Sequence, residues 1–280
     1  KPKLIFTSLS YAYDEYFKFY TAKKVENGVP YFIGQHGNEY FTHNFSNKIE
    51  FEISDKFISW GYHRPNKILS SFNFKTFKKP GIFDKKGKLL IISHPSVHRV
   101  FSYDRFCDYK DSLINAVNLK DKVSNKISNE IILRLDKDFQ SYDFILNEKI
   151  LKNFKNNEIC FGTNKLENLI KKSRLCIFTY DSTGLLENLS LNIPSLGMWN
   201  SLDNHLNEEF KEKYLLMKKA NIFFDNVSYM ANHVNENWQD INKWWFSDKT
   251  QLAIKKFNKD FNNNGKFKSF INLKEKLKID

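Results

Sequence analysis

The sequence predicts an α/β protein made of two Rossmann-like domains with parallel sheets, the first of them incomplete. Short apolar runs alternate with longer segments of helical periodicity, and this alternation breaks only once, between His63 and Lys88. About three strands precede the break, whereas roughly five or six βα units follow it, enough for a doubly wound sheet. The start at Lys1, almost inside a strand, favours a truncated first domain.

Each predicted strand is a short run of apolar residues bounded by polar or turn-forming residues. The predicted strands are Leu4–Ser8, Pro30–Gly34, Lys56–Trp60, Leu89–Ser93, Glu130–Leu135, Glu158–Phe161, Leu175–Tyr180, Ser195–Trp199 and Asn221–Phe224.

The predicted helices fill the longer segments between these runs. They are Tyr11–Asn27, Tyr103–Val117, Lys165–Ser173, Thr183–Leu191, Glu208–Lys219, Ser228–Trp238 and a long final helix from Ser247 to Phe261.

The domain boundaries follow from the break in the alternation, where proline, glycine and lysine replace any clean period. Residues 1–64 are predicted to form the C-terminal portion of an acceptor-side domain, and residues 65–87 a linker. Residues 88–246 are predicted to form a nucleotide-binding domain, and residues 247–280 a C-terminal helix that crosses back to the first domain.

Composition indicates a globular protein and favours a particular cellular compartment. The chain has 280 residues of which 41% are hydrophobic, but no run approaches the roughly 20 apolar residues that span a bilayer. The first residues have no signal-peptide core, so we expect a cytoplasmic protein. The odd set Cys107, Cys160 and Cys176 has no short-spaced pairing and is interpreted as reduced thiols.

The net charge of +12 is compatible with nucleic acid, an anionic membrane or phosphorylated ligands. The lysines are spread along the chain and form neither a dense arm nor an RNP-like aromatic motif, so no nucleic-acid partner is expected. Peripheral contact with the inner face of an anionic membrane stays open.

Two histidines each follow a predicted strand and precede a turn-forming residue: His36 before Gly37, and His94 before Pro95. Open α/β sheets bind ligands at the carboxyl ends of their strands, so the two histidines are candidate halves of one cleft. Imidazole is the side chain best suited to general-base chemistry near neutral pH. The alternative is that each is an ordinary turn histidine.

Further candidates follow other predicted strands. Arg134 ends one apolar run, and Arg99 lies one turn beyond His94. The segment Asp181-Ser182-Thr183-Gly184 opens a helix, where free N–H groups suit a phosphate, and Glu187 lies one turn inside. The alternative reading of that segment is a simple N-cap with a solvated glutamate.

Several other activities lack their motifs. The sequence contains no Gly-x-Gly-x-x-Gly, no Walker motif and no Gly-x-Ser-x-Gly elbow. Asp136-Lys137-Asp138 is interpreted as a polar loop rather than a metal site, and no His or Cys cluster indicates zinc. These residues therefore favour neither a zinc site nor a dinucleotide cofactor.

In this order the motifs resemble the two-domain GT-B transferases encoded in bacterial surface-polysaccharide and nonulosonate loci. The resemblance covers residues 3–262. The same motifs are also similar to those of CDP-glycerol glycerophosphotransferases and of CMP-Kdo and CMP-sialic acid transferases. The segments that carry it are Gly34–Gly37, Ser54–Lys56, Ser59–Gly61, Arg134-Leu135, Tyr180–Glu187, Asn192–Pro194, Trp199-Asn200 and Trp244-Trp245.

The resemblance implies roles for the candidate residues. His94, aided by Arg134 and Arg99, would contact the donor phosphate, while Ser182, Thr183 and Gly184 would hold phosphate oxygens and Glu187 the ribose. His36 would face the acceptor as a base or touch the donor sugar, with Gly37 and Asn38 beside it. GT-B enzymes stabilise the leaving group with cationic side chains and helix dipoles, which implies a metal-independent reaction.

The function implied is a glycosyltransferase that moves a sugar from a nucleotide-activated donor, best a CMP-nonulosonate or CMP-Kdo-like sugar, to a cell-envelope glycan or glycoprotein. The alternatives are a CDP-glycerol-type polyol-phosphate transferase, a non-catalytic nucleotide-sugar-binding module, and hydrolysis of a nucleotide-sugar.

Overall fold

The structure, a computed structural model, confirms the predicted class, with two all-parallel sheets in one chain. It describes residues 2–38, 40, 49–77, 79–94, 108–137, 151–198, 206–265 and 267–277. The first sheet has the order β1-β2-β3-β4 and the second the order β10-β9-β8-β5-β6-β7. The strands are β1 Ile5–Thr7, β2 Tyr31–Gly34, β3 Lys56–Ser59, β4 Ile68–Ser70, β5 Lys88–Ile92, β6 Ile131–Arg134, β7 Ile159–Cys160, β8 Ser173–Phe178, β9 Ser195–Met198 and β10 Phe223–Phe224.

The central strands are the most apolar, as expected for a parallel sheet covered on both faces. In β5, Leu89, Leu90 and Ile91 are fully buried, and Leu90 lies beside Ile132 of β6 and Cys176 of β8 in register. Every strand predicted from an apolar run is present, with ends that differ by one or two residues in most cases.

Helices fill the crossovers between these strands. They are α1 Ser10–Tyr13, α2 Glu15–Val25, α3 Ile49–Ile53, α4 Asp108–Lys122, α5 Asn125–Ser128, α6 Leu166–Ile170, α7 Thr183–Ser190, α8 Glu208–Lys219, α9 Val227–Asn237, α10 Ile241–Trp245, α11 Asp248–Phe261 and α12 Phe267–Lys276.

The first predicted helix is in fact two. Asp14, in extended conformation, separates α1 from α2, and its carboxylate accepts a hydrogen bond from the backbone N–H of Phe17 at 2.9 Å. Asp is a favoured N-cap because its short side chain satisfies such an orphan donor, so a continuous pattern of apolar residues concealed a helix start.

Two of the predicted boundaries differ from the structure. Residues 68–70, predicted to lie in the linker 65–87, form β4, in which Ile68 is buried and pairs with Phe57 of β3. Three residues are too few for a period to be recognised. The C-terminal segment 247–280 contains two helices, because α11 ends at Phe261 and α12 starts only at Phe267.

The chain has a first unit, built on the sheet of β1–β4, and a second unit, built on the sheet of β5–β10. The segment between α11 and α12 contacts both units. The side chain of Asn262 accepts a hydrogen bond from Asn73 at 2.7 Å and donates one to the carbonyl of Leu186 in α7. The backbone N–H of Asn263 donates to the carbonyl of Trp60 at 2.7 Å. A Cβ on Gly61 would lie 2.7 Å from the carbonyl oxygen of Lys259, so only glycine fits beside the last turn of α11.

The two units share one hydrophobic core. It runs from Ile33 and Phe57 of the first sheet to Phe178 of the second sheet and Phe257 of α11. A second cluster covers the other face of the second sheet, between its strands and helices α4 and α9. The two sheets and helix α11 are therefore packed together through this core.

Candidate functional site

The turn after β2 meets the start of α7 at the boundary between the two units. The Asn38 side chain donates a hydrogen bond to the Asp181 carboxylate and accepts one from the Thr183 hydroxyl at 3.3 Å. Gly37 packs beside them, since a Cβ there would lie 3.2 Å from Thr183 Oγ1. The structure thus brings Gly37 and Asn38, from one predicted motif, together with Thr183 from another.

Gln35 fixes the shape of this turn. Its side chain is buried, accepts a hydrogen bond from the backbone N–H of Trp60 at 2.8 Å, and donates one to the carbonyl of Gly37 at 2.8 Å. Sequence reasoning missed Gln35, although a polar side chain directly after a buried strand is a signal for such a brace.

His36 is half-buried in the same turn, and its ring is hydrogen-bonded to a polar side chain of the first unit. Its Nδ1 is hydrogen-bonded to the hydroxyl of Tyr40, which also donates to Glu50 Oε1 at 3.1 Å. Tyr11 of α1 donates a second hydrogen bond to that oxygen of Glu50. Sequence reasoning did not identify these three partners.

His94 follows β5 and is held through its backbone. Its N–H donates to Ser112 Oγ of α4 at 2.9 Å, and Ser112 is also hydrogen-bonded to Ser93 at 3.0 Å and to Thr179 at 2.7 Å. Ser93, Ser112 and Thr179 are all buried, so a hydroxyl cluster joins the ends of β5 and β8. No local pattern signals Ser112, which lies in a helix.

Tyr180, just beyond β8, connects the other groups at this edge. The His94 ring packs edge-on against the Tyr180 ring, with their centroids 5.5 Å apart. Burial raises the pKa of Tyr180, as do the charges of Asp136 and Asp181. Its hydrogen bond with Ser182 and the charge of Arg134 oppose this rise in pKa. His94, Arg134 and Ser182 therefore surround one aromatic residue.

Arg134 is the last residue of β6, as predicted, and is half-buried. Its Nε is fully buried and has no hydrogen-bond partner among the described residues. A buried donor without a partner is costly, and an anionic ligand at this edge would satisfy it.

Helix α7 begins with the predicted polar segment. The Ser182 hydroxyl caps it by accepting a hydrogen bond from the N–H of Gly184 at 3.1 Å. Gly184 is required by packing, because a Cβ there would lie 2.9 Å from the Phe178 ring. The first-turn N–H groups of the helix make this end suited to an anion.

The structure separates one predicted donor residue, Glu187, from this group. Glu187, one turn into α7, forms an ion pair with Lys75 at 3.3 Å, and both line a cavity of about 330 Å³ that extends to Lys79 and Lys171. Arg99 lies outside the described residues.

The described residues contain no group of three or more His, Cys, Asp or Glu placed to hold a metal ion. None of their helices is long and apolar enough to cross a membrane. Cys160 and Cys176 are unpaired and buried, whereas Cys107 lies outside the described part of the chain.

Comparison with known proteins identifies the family. A family model described as LIC12162 family transferase matches residues 1–277, nearly the whole chain. The chain belongs to this transferase family. No curated protein matches it.

Solved structures similar to this transferase include polysaccharide and cell-wall enzymes. The wall teichoic acid polymerase TagF aligns with 13% identity and a TM-score of 0.44 over 89% of this chain and 69% of that chain. WaaG, a glycosyltransferase involved in lipopolysaccharide biosynthesis, has 8% identity and a TM-score of 0.42, covering 92% and 85%. MurG from Acinetobacter baumannii has 10% identity and a TM-score of 0.44, covering 98% and 74%.

Proposed function

We propose that this transferase moves a sugar from a nucleotide-activated donor whose phosphate lies at the carboxyl edge of the second sheet. The observation that carries the proposal is the arrangement of His94, Arg134 and the start of α7 around Tyr180, opposite His36 on the first unit. Cationic side chains and helix N–H groups at one sheet edge are suited to stabilise the charge of a departing phosphate.

In the proposed mechanism, His36 acts as base. Its ring takes the proton of the acceptor hydroxyl, the acceptor oxygen forms a bond to the anomeric carbon, and the bond from that carbon to the nucleotide phosphate breaks. The phosphate leaves with the bonding electrons, and His94, Arg134, Ser182 and Thr183 stabilise its charge. This chemistry needs no metal or further cofactor, so we propose a metal-independent reaction.

The finer donor assignment is a CMP-activated acidic sugar of the nonulosonate or Kdo kind. The sugar's carboxylate adds a negative charge that would attract Arg134, whose Nε has no hydrogen-bond partner in the described part of the chain. Glu187 is the proposed ribose contact, but only if a nucleotide draws it away from Lys75.

Thermal unfolding with CMP, CDP, UDP and GDP tests the donor assignment. A ligand at 100 times its Kd raises the unfolding free energy by about 2.7 kcal/mol, so CMP is expected to raise the melting temperature most. Arg134→Gln should lose this effect, whereas Arg64→Gln, at an exposed arginine, should keep it. Stabilisation by UDP alone would overturn the CMP assignment.

Product analysis separates the two reaction types. A CMP-sugar and CDP-glycerol both release CMP, but only the second leaves phosphate on the acceptor. We expect a phosphate-free glycosylated product. Nucleotide binding with no transfer to any cell-envelope glycan would favour a binding module instead.

Acceptor and location belong to the same proposal: a cell-envelope glycan or glycoprotein, modified in the cytoplasm at the inner face of the membrane. Tyr13, Tyr16 and Phe19 on α1 and α2 are 81%, 90% and 73% exposed. Lys23 and Lys24 lie in the last turn of α2. Exposed aromatic rings beside lysines suit contact with an anionic lipid surface.

Cosedimentation with phosphatidylglycerol vesicles tests the membrane contact. The double variant Tyr16→Ser/Phe19→Ser should bind less, whereas Tyr229→Ser, at a 69% exposed tyrosine of the second unit, should bind as the parent does. Equal binding of all three proteins would contradict this surface.

A further inference from the structure

A buried carboxylate of the first unit lies one hydroxyl away from His36. Glu50 of α3 is only 7% exposed, and its Oε1 accepts hydrogen bonds from the hydroxyls of Tyr40 and Tyr11. A buried charge is tolerated when hydrogen bonds compensate for its lost hydration, and two hydroxyl donors supply that compensation here.

The Tyr40 hydroxyl lies between this carboxylate and His36. Tyr40 is 2% exposed, so its hydroxyl has no access to bulk water, and its ring is fixed by the rings of Phe57 and His36, with centroids 4.9 Å and 5.2 Å away. The hydroxyl carries one hydrogen and can donate it either to Glu50 or to His36 Nδ1.

The charge of Glu50 decides between these two arrangements. A hydrogen bond to an ionised acceptor is roughly twice as strong as one between neutral groups. Tyr40 therefore donates to Glu50, and the oxygen lone pairs that remain accept from His36. This requires the hydrogen of the neutral imidazole to be on Nδ1.

We propose that Glu50, acting through Tyr40, holds His36 in the Nδ1–H tautomer and leaves Nε2 unprotonated. Glu50 and Tyr40 are then positioning residues for His36. The use of Nε2 as a base toward an acceptor rests on the function proposed above, whereas the tautomer itself does not.

The same arrangement favours the protonated ring. When Nε2 takes a proton, the imidazolium donates from Nδ1 to Tyr40, which in turn donates to Glu50, so the carboxylate stabilises the new charge across one hydroxyl. Burial, together with the charge of Glu50, raises the pKa of Tyr40, so the hydroxyl keeps its hydrogen throughout the working range.

Within the described residues, the titratable groups near the turn of His36 lie on four segments of the chain. Tyr40 and Glu50 belong to the first unit, and Tyr11 reaches Glu50 from α1. Asp181 of the second unit accepts a hydrogen bond from Asn38, two residues after His36. Of these groups, Glu50 is the carboxylate that is hydrogen-bonded to His36 through one hydroxyl, so the proposal assigns the tautomer to it.

Nitrogen-15 NMR of histidine in the full chain tests the tautomer directly. The signals of His36 are assigned by their loss in His36→Asn, and above the pKa we expect the chemical shifts of a ring protonated at Nδ1. Tyr40→Phe removes the acceptor and Glu50→Gln removes the charge, so both should populate the Nε2–H form. A parent protein in the Nε2–H form would overturn the proposal.

Two matched tyrosine variants control for the loss of a hydroxyl. Tyr11→Phe removes a hydroxyl that contacts both Glu50 and Tyr40 but keeps the hydrogen bonds of Tyr40 to Glu50 and to His36, so the tautomer should persist. Tyr62→Phe removes a hydroxyl bound to Glu209 at 2.7 Å and should change nothing at His36. If Glu50→Gln does not fold, Tyr40→Phe still provides the test, because the phenyl ring keeps the packing. A change as large in Tyr62→Phe as in Tyr40→Phe would contradict the proposal.

Kinetics then separate this proposal from the function on which its catalytic part rests. Glu50→Gln should lower the proton affinity of His36 about 10-fold, which moves the acidic limb of the pH profile of kcat/KM downward by about one pH unit. KM for the donor should not change. Activity with an unmoved limb would overturn the positioning role. Absence of any transfer with the expected tautomer would overturn the proposed function and leave the tautomer assignment standing.

Discussion

The two strand-end histidines are held in opposite ways. The side chain of His36 is hydrogen-bonded to Tyr40 and, through it, to the buried carboxylate of Glu50. The backbone of His94 is anchored to Ser112, and its ring packs edge-on against Tyr180, beside which Arg134 supplies positive charge.

This difference suits the two histidines to different chemistry. A carboxylate behind an imidazole raises its affinity for a proton, as a general base requires. Near His94, the guanidinium of Arg134 and the N–H groups at the start of α7 favour an anionic ligand, whereas the charges of Asp136 and Asp181 oppose it. The same local pattern, a histidine after a strand and before a turn, thus gives a candidate base on one unit and a candidate phosphate contact on the other.

Removal of each imidazole is expected to have the largest effect. His36→Asn should lower kcat by about 10²- to 10⁴-fold, the range for loss of a general base. His94→Asn should lower it by about 10²- to 10³-fold, the range for loss of one group that stabilises developing charge. His36→Asn should keep the thermal stabilisation by nucleotide, whereas His94→Asn should lose much of it. The exposed His63→Asn is the control. Equal loss of nucleotide stabilisation in both variants would break the comparison.

A third histidine, in a mostly apolar setting, sharpens the comparison. Burial lowers the pKa of His233 to about 4, and its ring packs on Trp244 with centroids 4.6 Å apart. In the unfolded chain the imidazole of His233 takes up a proton near pH 6.5, whereas in the folded chain it does so only near pH 4. The contribution of the neutral ring to the free energy of unfolding is therefore complete above pH 6.5 and is lost as the pH falls toward 4. The full loss is about 3 kcal/mol.

Urea unfolding at pH 7.5 and pH 4.5 measures this loss. His233→Leu should lose less stability on acidification than the parent, whatever its stability at neutral pH, while His63→Leu should behave as the parent does. An identical pH dependence in His233→Leu and the parent would show that His233 does not take up the proton.

The contact between the two edges should be sensitive to charge. Asn38→Asp places a carboxylate where the amide now donates to Asp181, so we expect a loss of about 1–3 kcal/mol in unfolding free energy at pH 7. The loss should shrink when acid protonates one carboxyl. Asn232→Asp, at an exposed position of α9, is the control, and equal stability of the two variants would mean that the edges do not touch in solution.

The two glycines of the site should differ in tolerance. Gly184→Ala brings a Cβ to 2.9 Å from the fully buried Phe178 ring, and overpacking of this kind costs about 1–3 kcal/mol. At Gly37 the nearest atom is the Thr183 hydroxyl at 3.2 Å, which can rotate, so Gly37→Ala should shift the thermal midpoint less. The reverse order would contradict the packing described for α7.

The sequence was informative where one local signal decides the structure. Leu89–Ile92 and Leu175–Phe178 are strands because an apolar run of that length is buried on both faces of a parallel sheet. Ser182 caps a helix because its hydroxyl satisfies an orphan N–H. By contrast, β4 was missed because three residues make no period, and its pairing with β3 is a tertiary decision.

The candidate site divides in the same way. Proximity of Gly37, Asn38 and Thr183 followed from the rule that carboxyl ends of parallel strands face the cleft. The ion pair of Glu187 with Lys75 did not follow from any such rule, because a position on a helix predicts the face on which a side chain lies but not its partner.

By itself, the sequence determined the parallel α/β class, the positions of nearly all strands, and the fact that His36, His94 and Arg134 lie at strand ends. These properties depend on neighbouring residues, whose burial and turn preferences act locally. Only the tertiary structure decided that Tyr40 and Glu50 lie behind His36 and Ser112 and Tyr180 beside His94. Such partners are chosen by how helices pack on the sheets, and no local pattern records that packing.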